Sequence, residues 1–292
     1  MDDNLFLEET HKYVNERFLR FKEYQAIVMD ILQVFDNVCK KSDIKYVLTF
    51  GNLISIIRDK TIQLPWDYDI DVSIAYEDKN RLISALESSL PNGYYYKYDN
   101  NTKRYPAPCM RICKEGFTWM AIHVDVFFII GLPDSKVKQK KIIKNIRKYA
   151  GAKIYFNYRY HQLEPQNSRF RLYIKIIVGL FKYGLNSGNK LEKILARHVK
   201  HYPIKISNFV MPVGTISNIV WEKKWLNPIM IDIEGKEYPI PQYYDEILRP
   251  IYGDYMLYLP INMRFDEFYK MGFIVEKRQK LYEEKHENKY KE

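Results

Sequence analysis

Apolar residues recur at helical spacing early in the chain: Ile27, Val28, Ile31, Leu32, Phe35 and Val38, with charged residues between them. That period predicts a helix within residues 5–41, ended by Lys40-Lys41-Ser42-Asp43. The pattern then changes. Residues 44–50 (IKYVLTF) are a short apolar run followed by Gly51, which predicts a strand and a turn. Residues 53–59 (LISIIRD) predict a short helix carrying Arg58 on one side. Leu64-Pro65-Trp66-Asp67 predicts a turn, because the residue before a proline is pushed out of helical space. Residues 69–76 (DIDVSIAY) alternate, with Asp69, Asp71 and Ser73 on one face and Ile70, Val72 and Ile74 on the other. The same period returns at 123–132, where His123, Asp125 and Phe127 share one side of a strand. Helices are expected at 79–90 and 134–149, and a basic, apolar helical stretch over 169–200. The C-terminal third is richer in proline and turns. No repeat and no Gly/Ser linker divides the chain. The expectation is one α/β domain over residues 1–275, followed by a charged helix or tail at 276–292.

Composition narrows this only a little. With 47% apolar residues in 292, the chain can bury a substantial core. Three cysteines, Cys39, Cys109 and Cys113, do not make a disulfide framework and suit a reducing compartment. Cys109, Cys113 and nearby His123 lack a fourth ligand for zinc. The N-terminus is acidic and polar, unlike a signal peptide, and no window reaches the length of a membrane span. A cytoplasmic protein is therefore expected. The net charge of +10 suits anionic partners. A non-enzymatic nucleic-acid binder is one such reading, but the basic residues are spread along the chain and no nucleic-acid module is visible. The mixture of Arg169, Arg171, Lys175 and Lys182 with large apolar residues at 169–185 has two readings. It is a buried helix with charged ends, or an interfacial helix on an anionic membrane.

The candidate chemistry lies in Asp67, Asp69 and Asp71, crowded just before an apolar strand. A solvated turn is the plain reading. A calcium loop fails because Val72 stands where the loop needs glycine. A nucleotide-sugar glycosyltransferase, whose Asp-x-Asp holds a metal on a diphosphate, remains open. A nucleotidyltransferase-like site asks for more and finds it. Two aspartates share a strand face, Asp125 stands on another strand, and Gly51 opens a short helix whose N-terminus favours anions. Carboxylates in such number suit a hard divalent cation, with a phosphate completing its shell. His123 reads as a strand histidine satisfied in the core, Trp66 as a core anchor, and Asp59 as an exposed residue. Tyr94-Tyr95-Tyr96 and Tyr243-Tyr244 could offer faces to a quaternary ammonium.

The stretch GNLISIIRDKTIQLPWDYDIDVSI, from Gly51, resembles the signature of the LicD family. There a Gly-Gly-Thr-Leu-Leu-Gly run, an arginine and Pro-Trp-Asp-Asp-Asp-Ile-Asp follow an N-terminal helix and strand. The resemblance resumes at HVDVFFI and in EGKEYPIPQYYDEILRPIYGDYMLYLP, so it spans residues from about 20 to 265. It implies a nucleotidyltransferase-like mixed sheet flanked by helices, with helical elaborations. It also implies transfer of phosphorylcholine, or of a phospho-alditol, from a CDP-linked donor to a glycan hydroxyl. Asp69, Asp71 and Asp125 become the metal triad for Mg²⁺ or Mn²⁺, with Asp67 as a partner behind them or a further ligand. Within that triad, Asp125 is the first choice to take the incoming hydroxyl's proton. Gly51, Asn52 and Arg58 become donor-binding residues. Tyr252, Gly253, Asp254 and Arg264 fall in the closing motif, to which the sequence assigns no role. Phe50, Asn52, Ser55 and Tyr68 depart from the signature, and the first three fall in the turn expected to contact nucleotide.

Overall fold

The computed structural model describes residues 3–102, 105, 107–155, 190–214 and 219–287, together with positions 174, 177, 178 and 181. The early helical pattern becomes α1 (Asp3–Lys41), which lies across the sheet. Val28, Ile31, Leu32 and Phe35 are wholly buried there. The chain continues through β1 (Tyr46–Leu48), α2 (Phe50–Asp59), β2 (Ile70–Ala75), α3 (Lys79–Ser89), β3 (Tyr94–Lys97), β4 (Met110–Lys114) and β5 (Val124–Leu132). Then come α4 (Lys136–Tyr155), α5 (Leu191–His201), β6 (Phe209–Pro212) and β7 (Trp221–Glu222). A hairpin of β8 (Pro228–Ile233) and β9 (Lys236–Pro241), α6 (Tyr244–Tyr252) and α7 (Ile261–Glu287) complete it. The α/β class expected from the sequence is the observed one.

The seven-stranded sheet runs β1-β2-β5-β4-β3, with β6 on β5 and β7 on β6. β2 and β5 are parallel, and the other pairs are antiparallel. β5 is the centre of the sheet. Both of its faces are covered, so its apolar positions carry the core (Val124, Val126, Phe128 and Ile130 are 0% exposed). Registers place Asp71 beside Asp125 and Asp125 beside Arg111, a row of three charged residues across three strands. Registered neighbours share a face of the sheet, so these side chains must meet.

The boundary expected at residue 276 falls inside α7. Beyond it Arg278 donates to the Met120 carbonyl at 2.7 Å, and Gln279 accepts from the Thr118 N–H at 2.8 Å. Phe268 of the same helix packs edge-on against Phe21 of α1, with ring centres 5.2 Å apart.

Candidate functional site

Four polar side chains fix the aspartate turn. Gln25 of α1 donates to the carbonyls of Leu64 and Asp67, at 2.9 and 2.7 Å. Asn52, 1% exposed, accepts from the Asp71 N–H at 2.7 Å and donates to the Ile62 carbonyl at 2.9 Å. Thr49 and Ser73 join hydroxyls at 3.1 Å beneath the strand, and the Thr49 N–H donates to the Asp71 carbonyl at 3.0 Å. Both ends of the Asn52 amide are thus spent on protein, and this residue positions Asp71 instead of facing a ligand. Gly51 is needed for close approach: a Cβ there would stand 2.9 Å from Asp67 Oδ2. Just before it, Phe50 adopts φ 57°, the left-handed region that glycine occupies freely. The residue has departed from the signature's glycine and the backbone has not. Edge-on packing of its ring against Phe127, at 5.2 Å, helps offset the strain.

Asp69, His123 and Asp125 each offer a ligand atom within 4.8 Å of the others. Nε2 of His123 is 3.2 Å from Asp125 Oδ1 and 3.9 Å from Asp69 Oδ2. The imidazole is 1% exposed, yet neither nitrogen has an aligned hydrogen-bond partner among the described residues. It is not the satisfied core histidine expected from the strand pattern. Arg111 donates to Asp125 Oδ1 at 2.9 Å, and both side chains are 9% exposed. Asp67 and Asp69 lie close enough for each to weigh on the other's proton affinity.

The four acids differ in their affinity for protons. Burial, then Asp67 and Asp125, raises Asp69 well above the usual carboxylate range, against the pull of His123. Asp71 is raised likewise by burial, then by Asp69, Asp125 and Asp67. Asp67 is raised by burial. Burial also opposes the charge on Asp125, but Arg111 and then His123 overcome it and hold that acid below its usual range. Asp125 is the one acid of the four held below its usual range. The donor set fits a divalent cation: crowded carboxylates, one cationic partner, and a buried histidine nitrogen left without a bond.

Elsewhere the placements vary. Arg58 is not open to a ligand by itself; it forks onto Asp59 at 2.7 and 2.8 Å and lies 4.2 Å above the Tyr258 ring. Asp59 is not exposed, since its side chain is 5% accessible. Tyr252 stands near enough to the cluster that burial, then Asp71 and Asp67, push its hydroxyl's pKa up. Gly253 ends α6 at φ 68°, a conformation that favours glycine. Arg264 is buried with its guanidinium 5.3 Å from the Tyr258 ring, and Asp254 is exposed. The rings of Tyr94 and Tyr95 already face Lys114 and Lys97, at 5.3 and 5.6 Å. All three cysteines are buried free thiols. Sequence reasoning missed Gln25, Arg111 and the part played by His123. Only His123 carried a signal, its place two residues before Asp125.

Residues 43–174 match the family described as LicD/FKTN/FKRP, nucleotidyltransferase domain. The chain is 26% identical to the lipopolysaccharide cholinephosphotransferase LicD of Haemophilus influenzae, over 82% of this chain and 92% of that protein. Both findings agree with the resemblance read from the residues, and together they indicate a transferase.

Proposed function

Because residues 43–174 match the LicD/FKTN/FKRP nucleotidyltransferase domain, we propose that the chain moves a phospho-substituted alcohol from a CDP-linked donor to a glycan hydroxyl, releasing CMP. Phosphorylcholine is the group proposed, and a cell-surface glycan such as lipopolysaccharide the acceptor, by analogy with the Haemophilus relative. The observation that carries this reading is the row Asp71–Asp125–Arg111 with Asp69 and His123 around it. Asp69, Asp71 and Asp125 would hold the cation, Mg²⁺ or Mn²⁺, with His123 beside them and Asp67 steadying Asp69. Such an ion offsets charge on a transferring phosphate. Arg111 keeps Asp125 ionised, Asn52 fixes the backbone of Asp71, and Gly51 lets the turn close. One acid of this triad would also take the acceptor's proton, and Asp125, kept ionised by Arg111, is the first choice.

The test is CMP release from CDP-choline, CDP-ribitol and CDP-glycerol, with UDP-glucose as the rival donor. Release from a CDP donor supports the reading. Turnover of UDP-glucose alone, with UDP released, makes the chain a glycosyltransferase.

A cytoplasmic enzyme meeting a lipid-carried acceptor is the proposed setting. No helix among the described residues is long and apolar enough to cross a membrane. Most of 169–185 lies outside the described residues, but Ile174, Ile177, Val178 and Phe181 are helical and exposed, at one-face spacing. That apolar face, with basic residues beside it in sequence, supports peripheral contact with an anionic bilayer. Equal recovery in the supernatant with and without anionic liposomes would remove this part of the proposal.

A further inference from the structure

The positive charge of the chain is concentrated. Residues 136–205 hold 18 lysines and arginines against two acids, Glu164 and Glu192; that is +16 where the whole chain carries +10, so the rest of the chain sums to −6. Two helices of that stretch, α4 and α5, pack against one another. The face that α4 buries is Ile143, Ile146 and Ala150, and α5 buries Leu191 and Leu195. The outward faces carry the charge. Lys141, Lys144 and Lys148 follow one another at helical spacing on α4, as do Lys193, Arg197 and Lys200 on α5, and all six are exposed.

Like charges three and four apart on a helix repel, so these two stripes work against the fold. No acid interrupts either one. Glu192, the single acid of the two helices, is turned onto Lys79, Tyr76 and Tyr98. Among the described residues none of the six cations makes an ion pair. Lys153, the lysine that α4 buries, is paired with Asp99. A face of one sign, left uncompensated where the same helix compensates its buried charge, fits an anionic surface outside the protein.

Apolar side chains among the cations select the class of that surface. Val137, one turn before Lys141 in the same stripe, is 79% exposed. Ile174, Ile177, Val178 and Phe181, between α4 and α5 in the chain, are exposed as well. A nucleic acid or another soluble polyanion would meet the lysines and leave these side chains in water. A bilayer takes both, with anionic headgroups for the cations and the acyl boundary for the apolar groups. Five of the six stripe cations are lysines, whose compact charge on a flexible stem suits a diffuse field of headgroups.

We propose that α4 and α5 together form a cationic platform that seats the protein on an anionic membrane. The inference rests on the reading of a lipid-carried acceptor above, and it moves the main contact from residues 169–185 to two packed helices.

Cosedimentation of the full chain with vesicles of phosphatidylcholine, alone or mixed with phosphatidylglycerol, at about 0.1 M NaCl tests it. Wild type should pellet with the mixed vesicles and stay in solution with phosphatidylcholine. One lysine near an anionic surface is worth about fivefold in partitioning, so the triple variant Lys141→Gln, Lys144→Gln, Lys148→Gln should bind on the order of 100-fold more weakly. The triple variant Lys41→Gln, Lys45→Gln, Lys280→Gln removes the same charge from exposed positions elsewhere and should lose less than about fivefold. All these lysines are exposed, so neither variant should lower the Tm. Equal losses in the two variants would show an effect of net charge alone and overturn the platform. Undiminished binding by the α4 variant would overturn it too, as would binding of duplex DNA without binding of the mixed vesicles, which would make the face a nucleic-acid surface. Platform-dependent vesicle binding by a protein that turns over no CDP donor would instead sink the donor reading and leave the platform standing.

Discussion

The parallel strands β2 and β5 carry charge at both ends, and the two ends are built differently. At the start of the strands stand Asp67, Asp69, Asp71 and Asp125, with Arg111 bonded to the last of them. At the far end, where Tyr76 follows β2, Lys79 meets Glu192 at 2.5 Å and Lys153 bonds Asp99. Tyr76 and Tyr98 hydroxyls also donate to Glu192, and Phe128 of β5 packs on both rings. One end has a cation for each acid; the other has a surplus of acids. Buried charge that serves only the fold is paired, because an unpaired ion costs several kcal/mol. The surplus therefore marks where a charge from outside is expected, and the balanced end shows what the same strands look like without that demand.

Breaking the surplus should have the largest effect. Asp71→Asn keeps size and loses charge, so CMP release should fall on the order of 10³-fold or more. Asp266→Asn, on the exposed side of α7, is the comparison and should leave the rate within about twofold. Wild-type turnover by Asp71→Asn would remove the site assignment whatever the donor. Next in size is Arg111→Gln. It strands Asp125 among three other acids, and stability measured by urea unfolding should drop by about 3–5 kcal/mol. A drop under about 1 kcal/mol would mean that Arg111 is not what keeps Asp125 charged.

How much of this contrast could be read beforehand depends on distance along the chain. The strands β2 and β5 and the helix α1 were legible because period and burial agree over several residues. So were Asp69, Asp71 and Asp125, because alternation puts a carboxylate on a predictable face. Arg111 was not legible. It sits on a five-residue strand, and only the pairing of β4 with β5 brings it to Asp125. Gln25 was hidden in an amphipathic helix, 42 residues from the Asp67 carbonyl it holds. Asp59 looked like an exposed control, but Tyr258, from the far end of the chain, bonds it at 2.9 Å and covers it. Phe50 reads as a core aromatic, and nothing in its neighbours announces a left-handed backbone. The β6–β9 strands went unread because Pro212, Pro228, Pro239 and Pro241 look like turn residues, and only tertiary pairing makes strands around them.

Single neutralisations at the two ends sharpen the comparison, since they should move stability in opposite directions. Glu192→Gln deprives Lys79 of its partner and should cost about 1.5–3 kcal/mol. Asp69→Asn removes repulsion from the cluster. The metal-free variant should therefore melt higher than wild type, by roughly 2–4 °C for each kcal/mol gained. Destabilisation by both substitutions, in the presence of EDTA, would show that the aspartate cluster is as well compensated as the Glu192 network.

The smallest effect is a slope with pH. Asp69 and Asp71 bind protons more tightly in the folded chain than in the unfolded one. Above the unfolded carboxylate pKa of about 4, the native state then holds more protons, and stability must fall as pH rises. Each such group contributes at most about 1.4 kcal/mol per pH unit. Asp125 works the other way: its contribution is complete above about pH 4 and is lost only as pH falls towards its depressed pKa. The region above about pH 4 consequently reports Asp69, Asp71, Asp67 and Asp99, all raised by burial, while His198, lowered by burial, works the opposite way. In EDTA the Tm should decline across it. With Mg²⁺ or Mn²⁺ the decline should flatten or reverse, because the cation binds the deprotonated acids and stabilises the state that holds it. Glu192→Gln should change the slope only through Asp99, whose carboxyl is raised by burial and further by Glu192. The double variant Asp69→Asn, Asp71→Asn should lose most of the slope and all of the response to metal. If it still responded to metal, the surplus charge at the head of β2 would not be what the cation answers.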